Sequence, residues 1–281
     1  MVQAIRRSRL LQIISLMSPG GFVLIVFFFL PLLAIALLSV FRNGVFTLEA
    51  YERSFRPLYL GLFATSIWIA FLTTILSLII AFPVALFIAR LPKKYRDVAV
   101  FLVMIPFWTN FLVRTYALQF LMLREGPINS ALRSIGLIER PIQMLNTEGA
   151  VLIGLIYGNL PFMILPLYTS LEKFDWTMLE AASDLGANTF RSFIRVMLPL
   201  VAPGLLAGSI LTFIPSIGSY VTADLMGGGQ ATMLGRVIAN QFEQAQNWTF
   251  GSALSLLMMI VVTIFAIVYF RIGRGERATL A

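Results

Sequence analysis

Apolar residues in this chain gather into long unbroken runs rather than into stripes. Six runs stand out, at about residues 21–41, 61–89, 98–123, 149–171, 200–222 and 250–270. A helix rising 1.5 Å per residue needs about 20 apolar residues to cross a hydrocarbon layer of about 30 Å. Every run meets that length. None alternates polar and apolar positions with a period of two, so spanning helices are expected and a barrel is not. Arg114 interrupts the third run. Seven prolines (Pro31, Pro83, Pro106, Pro161, Pro166, Pro203 and Pro215) fall in or near the runs and are kink sites. Gly204, Ala207, Gly208 and Ser209 predict close helix packing in the fifth. The stretch 124–148 has room for a short external helix. The pattern predicts an all-α membrane protein, one transmembrane domain of six helices over 1–281.

Composition agrees with the pattern. Hydrophobic residues make up 59% and charged residues 12%, with mean hydropathy +0.88. Soluble domains carry about 25% charge, so lipid must serve as solvent here. The chain has no cysteine and no histidine. Disulfides and thiolate metal sites are excluded, and so are the commonest general base and neutral metal ligand. A self-sufficient enzyme is disfavoured. The net charge of +8 fits cytoplasmic loops rather than nucleic acid. With the N-terminus inside, thirteen Lys and Arg fall on the cytoplasmic side and seven opposite. That bias predicts both termini in the cytoplasm. The basic start, followed by a long apolar run without a small-x-small site, reads as an uncleaved first span.

The segment 172–199 is a polar, charged island placed in the cytoplasm by that count. Residues 177–185 have helical character, and Asp175 is positioned to cap them. Gly186 permits a sharp turn. A second helical stretch puts Phe193, Val196 and Met197 on one face. Pro199 is expected to end the unit. Two short helices joined at a glycine make a rigid knob, which transmits a push as a floppy loop would not. The bland alternative is an amphipathic interfacial helix.

Glu180-Ala181-Ala182, Gly186-Ala187, Phe193 and Leu198-Pro199 resemble the EAA loop of ABC-importer permeases, with Val196 where that pattern has isoleucine. The likeness extends over nearly the whole chain to the permeases of spermidine/putrescine importers. It is carried by the stretches 105–116, 160–168, 223–228 and 234–238. The resemblance implies a type I (MetI-like) importer fold and alternating access in the cell membrane. It implies a second homologous permease, two ATP-binding subunits and an external substrate-binding protein as partners, and no nucleic acid. No catalytic residue, cofactor or metal is expected in this chain, since ATP and Mg would sit on the partner ATPase.

A polycation route needs acceptors, carboxylates and aromatic faces. Asp224 is the sole acid between Asp184 and Glu243, and is either a cation attractor or a solvated loop acid before Gly227-Gly228-Gly229. Trp108 and Tyr220 either stack on an alkylammonium chain or anchor the interface. Asn110 offers an acceptor, and Tyr157 is a pathway ring or packing. Along a straight third helix, Arg114 would lie roughly 24 Å from the start, near the outer face. Its expected role is structural or gating, through pairing with Asp224 or bonds to carbonyls near a kink.

Other readings stay open at this stage. The same mechanism would serve an opine, a phosphonate or another organic cation. An ion-gradient-driven secondary transporter would be expected to hold an acid deep in a span, and the spans here lack one apart from Asp224 near an end. A scaffold needs no coupling knob.

Overall fold

A computed structural model describes residues 18–229 and 232–278, and their contacts divide them into two units. The first unit comprises residues up to Arg56 together with Asn240–Met259. Its first helix, α1 (Ser18–Val40), widens to a π-helix over Ile25–Phe29. A two-residue hairpin follows, β1 (Phe41–Arg42) pairing with β2 (Val45–Phe46). Asn43 and Gly44 turn it with φ of 52° and 79°, the backbone a tight hairpin demands and the pair best suited to it. The cross-strand Phe41 and Phe46 rings meet edge to face at 5.9 Å. Helix α2 (Glu49–Ser54) returns toward α1 through a bond between the hydroxyls of Tyr51 and Ser39 at 2.8 Å.

The second unit comprises Pro57–Ala239 and the chain from Ile260 onward. Its frame is three helices: α3 (Pro57–Arg90), α7 (Glu148–Glu172) and α9 (Thr189–Ile217). Helix α3 continues through Pro83. Helix α7 starts where the Thr147 hydroxyl accepts from the Ala150 amide at 3.1 Å, satisfying an orphan donor of the first turn. Ala81, Ala85 and Ile88 of α3 pack with Met163, Leu167 and Leu171 of α7 and Val201 of α9 in the main core. Helices α7 and α9 approach at the glycines. A Cβ on Gly204 would lie 2.6 Å from the Pro166 carbonyl, and one on Gly208 would lie 2.8 Å from Met163 Sδ. Small residues there let backbones touch, which drives helix association in lipid. Asn159 of α7 adds a polar tie, donating to Ser216 Oγ of α9 at 3.2 Å.

Two spans depart from the sequence expectation. The third is not one helix. It breaks into α4 (Lys93–Trp108) and α5 (Phe111–Leu121), bent by 88°. Thr109 and Asn110 have ψ of 148° and 131°, which interrupts the hydrogen-bond ladder just past Pro106. The straight-helix height of Arg114 is therefore wrong, because the axis turns before reaching it. The fifth span ends at Ile217, earlier than expected, and Tyr220 begins a separate short helix, α10 (Val221–Gly227). Pro199 does not end the cytoplasmic unit. Helix α9 runs through it after a π-turn at Phe193–Met197, where a wider turn accommodates the ring that would crowd the Arg195 carbonyl. Among the described residues five helices are long and apolar enough to span, and the bent α4–α5 pair makes six if counted as one span. Between them lie α6 (Pro127–Ser134) in the stretch assigned to a short helix, α8 (Thr177–Asp184) and α11 (Leu234–Glu243). Helix α12 (Trp248–Ala278) closes the described chain.

Candidate functional site

The 172–199 segment is two helices joined at a glycine. Asp175 opens α8, its carboxylate accepting from the Thr177 amide at 3.0 Å and the Thr177 hydroxyl at 2.8 Å. Glu180 lies in the first turn of α8, where a carboxylate suits the helix dipole. At the other end Gly186 has φ of +83°. Its amide donates to the Ser183 carbonyl at 2.9 Å, and that of Ala187 to the Ala182 carbonyl at 3.0 Å. Those two bonds across a left-handed residue are a Schellman cap. Space around Gly186 is open, so backbone conformation alone calls for glycine there. Asn188 then starts α9, its side chain accepting from the Arg191 amide at 2.8 Å.

Burial divides the segment into an inner and an outer face. Phe193 packs edge to face on Phe82 of α3 at 5.4 Å, and Met197 is buried. Ala182, Ala187, Leu198 and Pro199 are half-buried, while Glu180 and Ala181 face outward. Leu185 is 89% exposed and Phe190 72% exposed, on either side of the Gly186 turn. Sequence reading passed over both, since neither belongs to the motif. Their signal was an apolar residue at each edge of a polar island.

Charged contacts fix this segment to the frame. Arg96 of α4 bonds Glu172 at the end of α7 at 3.1 Å, and the Ala89 and Leu91 carbonyls at 2.9 and 3.3 Å. It thereby caps the C-terminus of α3. The Arg90 guanidinium lies over the Trp176 ring at 4.9 Å, and Trp176 meets Phe174 edge to face at 5.1 Å.

The second cluster sits at the α4–α5 break. Asn110 is an N-cap, its Oδ1 accepting from the Leu112 amide at 2.8 Å and the Val113 amide at 3.4 Å. Its acceptor is engaged by the backbone. The Pro106 carbonyl, freed by the break, accepts from the Thr109 hydroxyl at 2.6 Å and Arg114 Nη1 at 3.0 Å. Arg114 is 8% exposed, and its guanidinium carbon lies 5.7, 5.8 and 5.6 Å from the ring centroids of Phe107, Phe111 and Tyr157. The structure thus joins Arg114 and Tyr157 and adds Phe107 and Phe111 to them. Trp108 is exposed and meets Phe101 edge to face.

Asp224 does not pair with Arg114. It lies in α10 and meets Arg236 Nε of α11 at 2.8 Å. Arg236 also donates to the Gly228 carbonyl. Of the two arrangements expected for Arg114, the bond to a carbonyl near a kink is the one present, and the pair with Asp224 is not. Tyr220, half-buried, occupies the N-cap position of α10. Gln119 of α5 donates to the Leu225 carbonyl at 2.8 Å, tying the broken span to α10. Among the described residues no His, Cys, Asp and Glu cluster forms a metal site.

Comparison with known proteins places this geometry. Residues 81–277 match the family described as "Binding-protein-dependent transport system inner membrane component". A relative in Haemophilus influenzae, named as a spermidine/putrescine transport system permease protein PotB, is 42% identical over 258 residues. That alignment covers 89% of this chain and 90% of the relative. A bacterial ABC transporter importing the acidic polysaccharide alginate has a chain that superposes with TM-score 0.78 at 16% identity, covering 97% of this chain and 98% of its own. A structure of the alginate transporter with its pentasaccharide-bound periplasmic protein gives TM-score 0.75 at 15% identity, covering 98% and 97%.

Proposed function

This chain belongs to the inner-membrane components of binding-protein-dependent transport systems, and on that premise we propose that it is the permease subunit of an ATP-driven importer of polyamines, spermidine or putrescine. The observation that carries the mechanism is the α8–Gly186–α9 knob. Its Schellman cap makes it rigid, and Leu185 and Phe190 stand exposed beside the turn. Exposed apolar side chains on a polar cytoplasmic segment suit a protein partner. Charges at Arg90, Arg96 and Glu172 tie it to the spans. The cargo rests on the 42% identical relative.

The protein is a multi-pass membrane subunit of a transporter complex. Its partners are a second, similar permease, two ATPase subunits that dock on the knobs, and an external binding protein that delivers substrate. ATP and Mg belong to the ATPase, so this chain catalyses nothing itself. The charge bias supports an orientation with both termini in the cytoplasm. ATP binding closes the ATPase pair and brings the knobs together. The tilt passes up α7, α9 and α4, the pore opens outward, and hydrolysis resets it. Aromatic faces such as Tyr157 and Trp108 supply the chemistry for an alkylammonium chain.

The test is ATP hydrolysis by the complete complex with its binding protein. Stimulation by spermidine or putrescine, and not by sugars or amino acids, is expected. Hydrolysis indifferent to polyamines overturns the cargo, and absence of a co-purifying ATPase overturns the mechanism.

A further inference from the structure

Arg114 is a full charge, nine-tenths buried in a bent span. Among the described residues it forms no ion pair, unlike Arg42, Arg96 and Arg236, which meet Glu49, Glu172 and Asp224. An intramembrane charge without a counter-charge is costly and marks function. What holds it is a set of three ring faces and one carbonyl, and this is the chemistry that recognises organic cations. Phe107 comes from α4, Phe111 from α5 and Tyr157 from α7. Two of them have other support. Phe107 packs edge to face on Phe162 at 4.9 Å, Phe111 lies 3.7 Å from where a Gly158 Cβ would be, and Tyr157 remains 44% exposed. The cage is therefore built from the frame, with an open side.

We propose that Phe107, Phe111, Tyr157 and the Pro106 carbonyl form a cation site for an alkylammonium group, which Arg114 of this chain occupies as a built-in stand-in for the substrate. The inference rests on the polyamine reading and deepens it. Ring faces and a carbonyl discriminate poorly between guanidinium and ammonium, so an arriving ammonium group exchanges for Arg114 one charge at a time. The freed guanidinium turns outward on its long stem. The exchange also breaks the bond from Arg114 of α5 to the Pro106 carbonyl of α4, a tie across the bend. The same helix, α4, carries Arg96 at its other end, bonded to Glu172 beside the knob. Occupancy of the cage by Arg114 thus holds the resting bend, and substrate lifts that hold. Energetically the device is a competition between two cations for one site, biasing a bend at one end of α4 while Arg96 ties its other end to Glu172.

The experiment uses the complete reconstituted complex with its binding protein and reads ATP hydrolysis against spermidine concentration. Arg114→Met keeps the bulk and removes the charge. Expected is substrate-free hydrolysis raised by about five-fold or more, with a smaller response to spermidine. Unchanged or reduced hydrolysis in the assembled Arg114→Met complex overturns the proposal. If that variant fails to assemble, Tyr157→Leu decides, since it removes a ring and leaves the arginine. Expected there are raised substrate-free hydrolysis and a raised half-saturating spermidine concentration, and no change in either overturns the proposal. Wild-type complex that answers to spermidine while the assembled variants match it sinks the cage alone. Wild-type complex indifferent to polyamines sinks the cargo reading and the cage with it.

Discussion

The Ala187 amide reaches back across Gly186 to the Ala182 carbonyl at 3.0 Å. That bond exists only while residue 186 holds φ near +83°, a region that costs an L residue about 1–2 kcal/mol. Gly186→Pro locks φ at the opposite sign and removes the amide that bonds Ser183. The variant should insert in the membrane at normal levels yet lose stimulated ATP hydrolysis. Gly186→Asn, which tolerates the left-handed region better, should keep most of it. Hydrolysis assays on purified complexes check both, and full coupling in the proline variant would sink the knob assignment.

Leu185 and Phe190 make no contribution to the core, being 89% and 72% exposed. Their loss should therefore cost the isolated permease little stability. At a protein interface, a central apolar anchor is worth about 2 kcal/mol or more, and each 1.4 kcal/mol is tenfold in affinity. Leu185→Asp and Phe190→Ala should each weaken ATPase binding by about tenfold or more, with the melting temperature of the permease unchanged. Titration of purified ATPase onto the permease measures this. Wild-type affinity in both variants would move the docking face elsewhere.

Spans were legible where a long apolar run ended in polar caps, as at Thr147 before α7 and Arg90 after α3. They were misread where polar side chains act locally. Asn110 looked like an acceptor for cargo, but an asparagine three residues before the Val113 amide is equally an N-cap. Hydropathy averages over such a residue and cannot see an 88° turn. Gly218 after Pro215 ended α9 early for the same reason: the run stays apolar while the backbone changes direction. The Asn43-Gly44 hairpin was readable from the pair itself but lay between two stronger signals. In the knob, Gly186 was legible because its role is local, set by φ. Leu185 and the Arg96 bracket were not, because exposure and a bond 76 positions apart are properties of the fold.

Gly204 and Gly208 test the packing of α7 on α9. A Cβ on Gly204 meets the Pro166 carbonyl at 2.6 Å, backbone that cannot yield as a flexible side chain can. Gly204→Leu should push the helices apart and cost at least about 1–3 kcal/mol, the range for overpacking. Gly208→Ala meets first a methionine sulfur at 2.8 Å, which can swing aside, so a smaller loss is expected. Thermal unfolding in detergent should rank Gly204→Leu well below Gly208→Ala. The reverse order would mean these helices do not pack through Gly204.

Asp224 meets Arg236 at 2.8 Å with its side chain 41% exposed, while Arg236 is more enclosed at 21%. Such a half-exposed pair is worth about 0–1 kcal/mol, so Asp224→Asn alone should leave assembly intact. It should still lower polyamine uptake, because the change leaves the positive charge of Arg236 uncompensated. If Asp224 acts only by neutralising Arg236, the double variant Asp224→Asn with Arg236→Gln should regain uptake. If the carboxylate itself attracts the cation, the double variant should stay as poor as the single one. Radiolabelled putrescine uptake into vesicles, compared across the two single variants and the double, separates these roles. Recovery in the double would make the pair an electrostatic balance rather than a binding site.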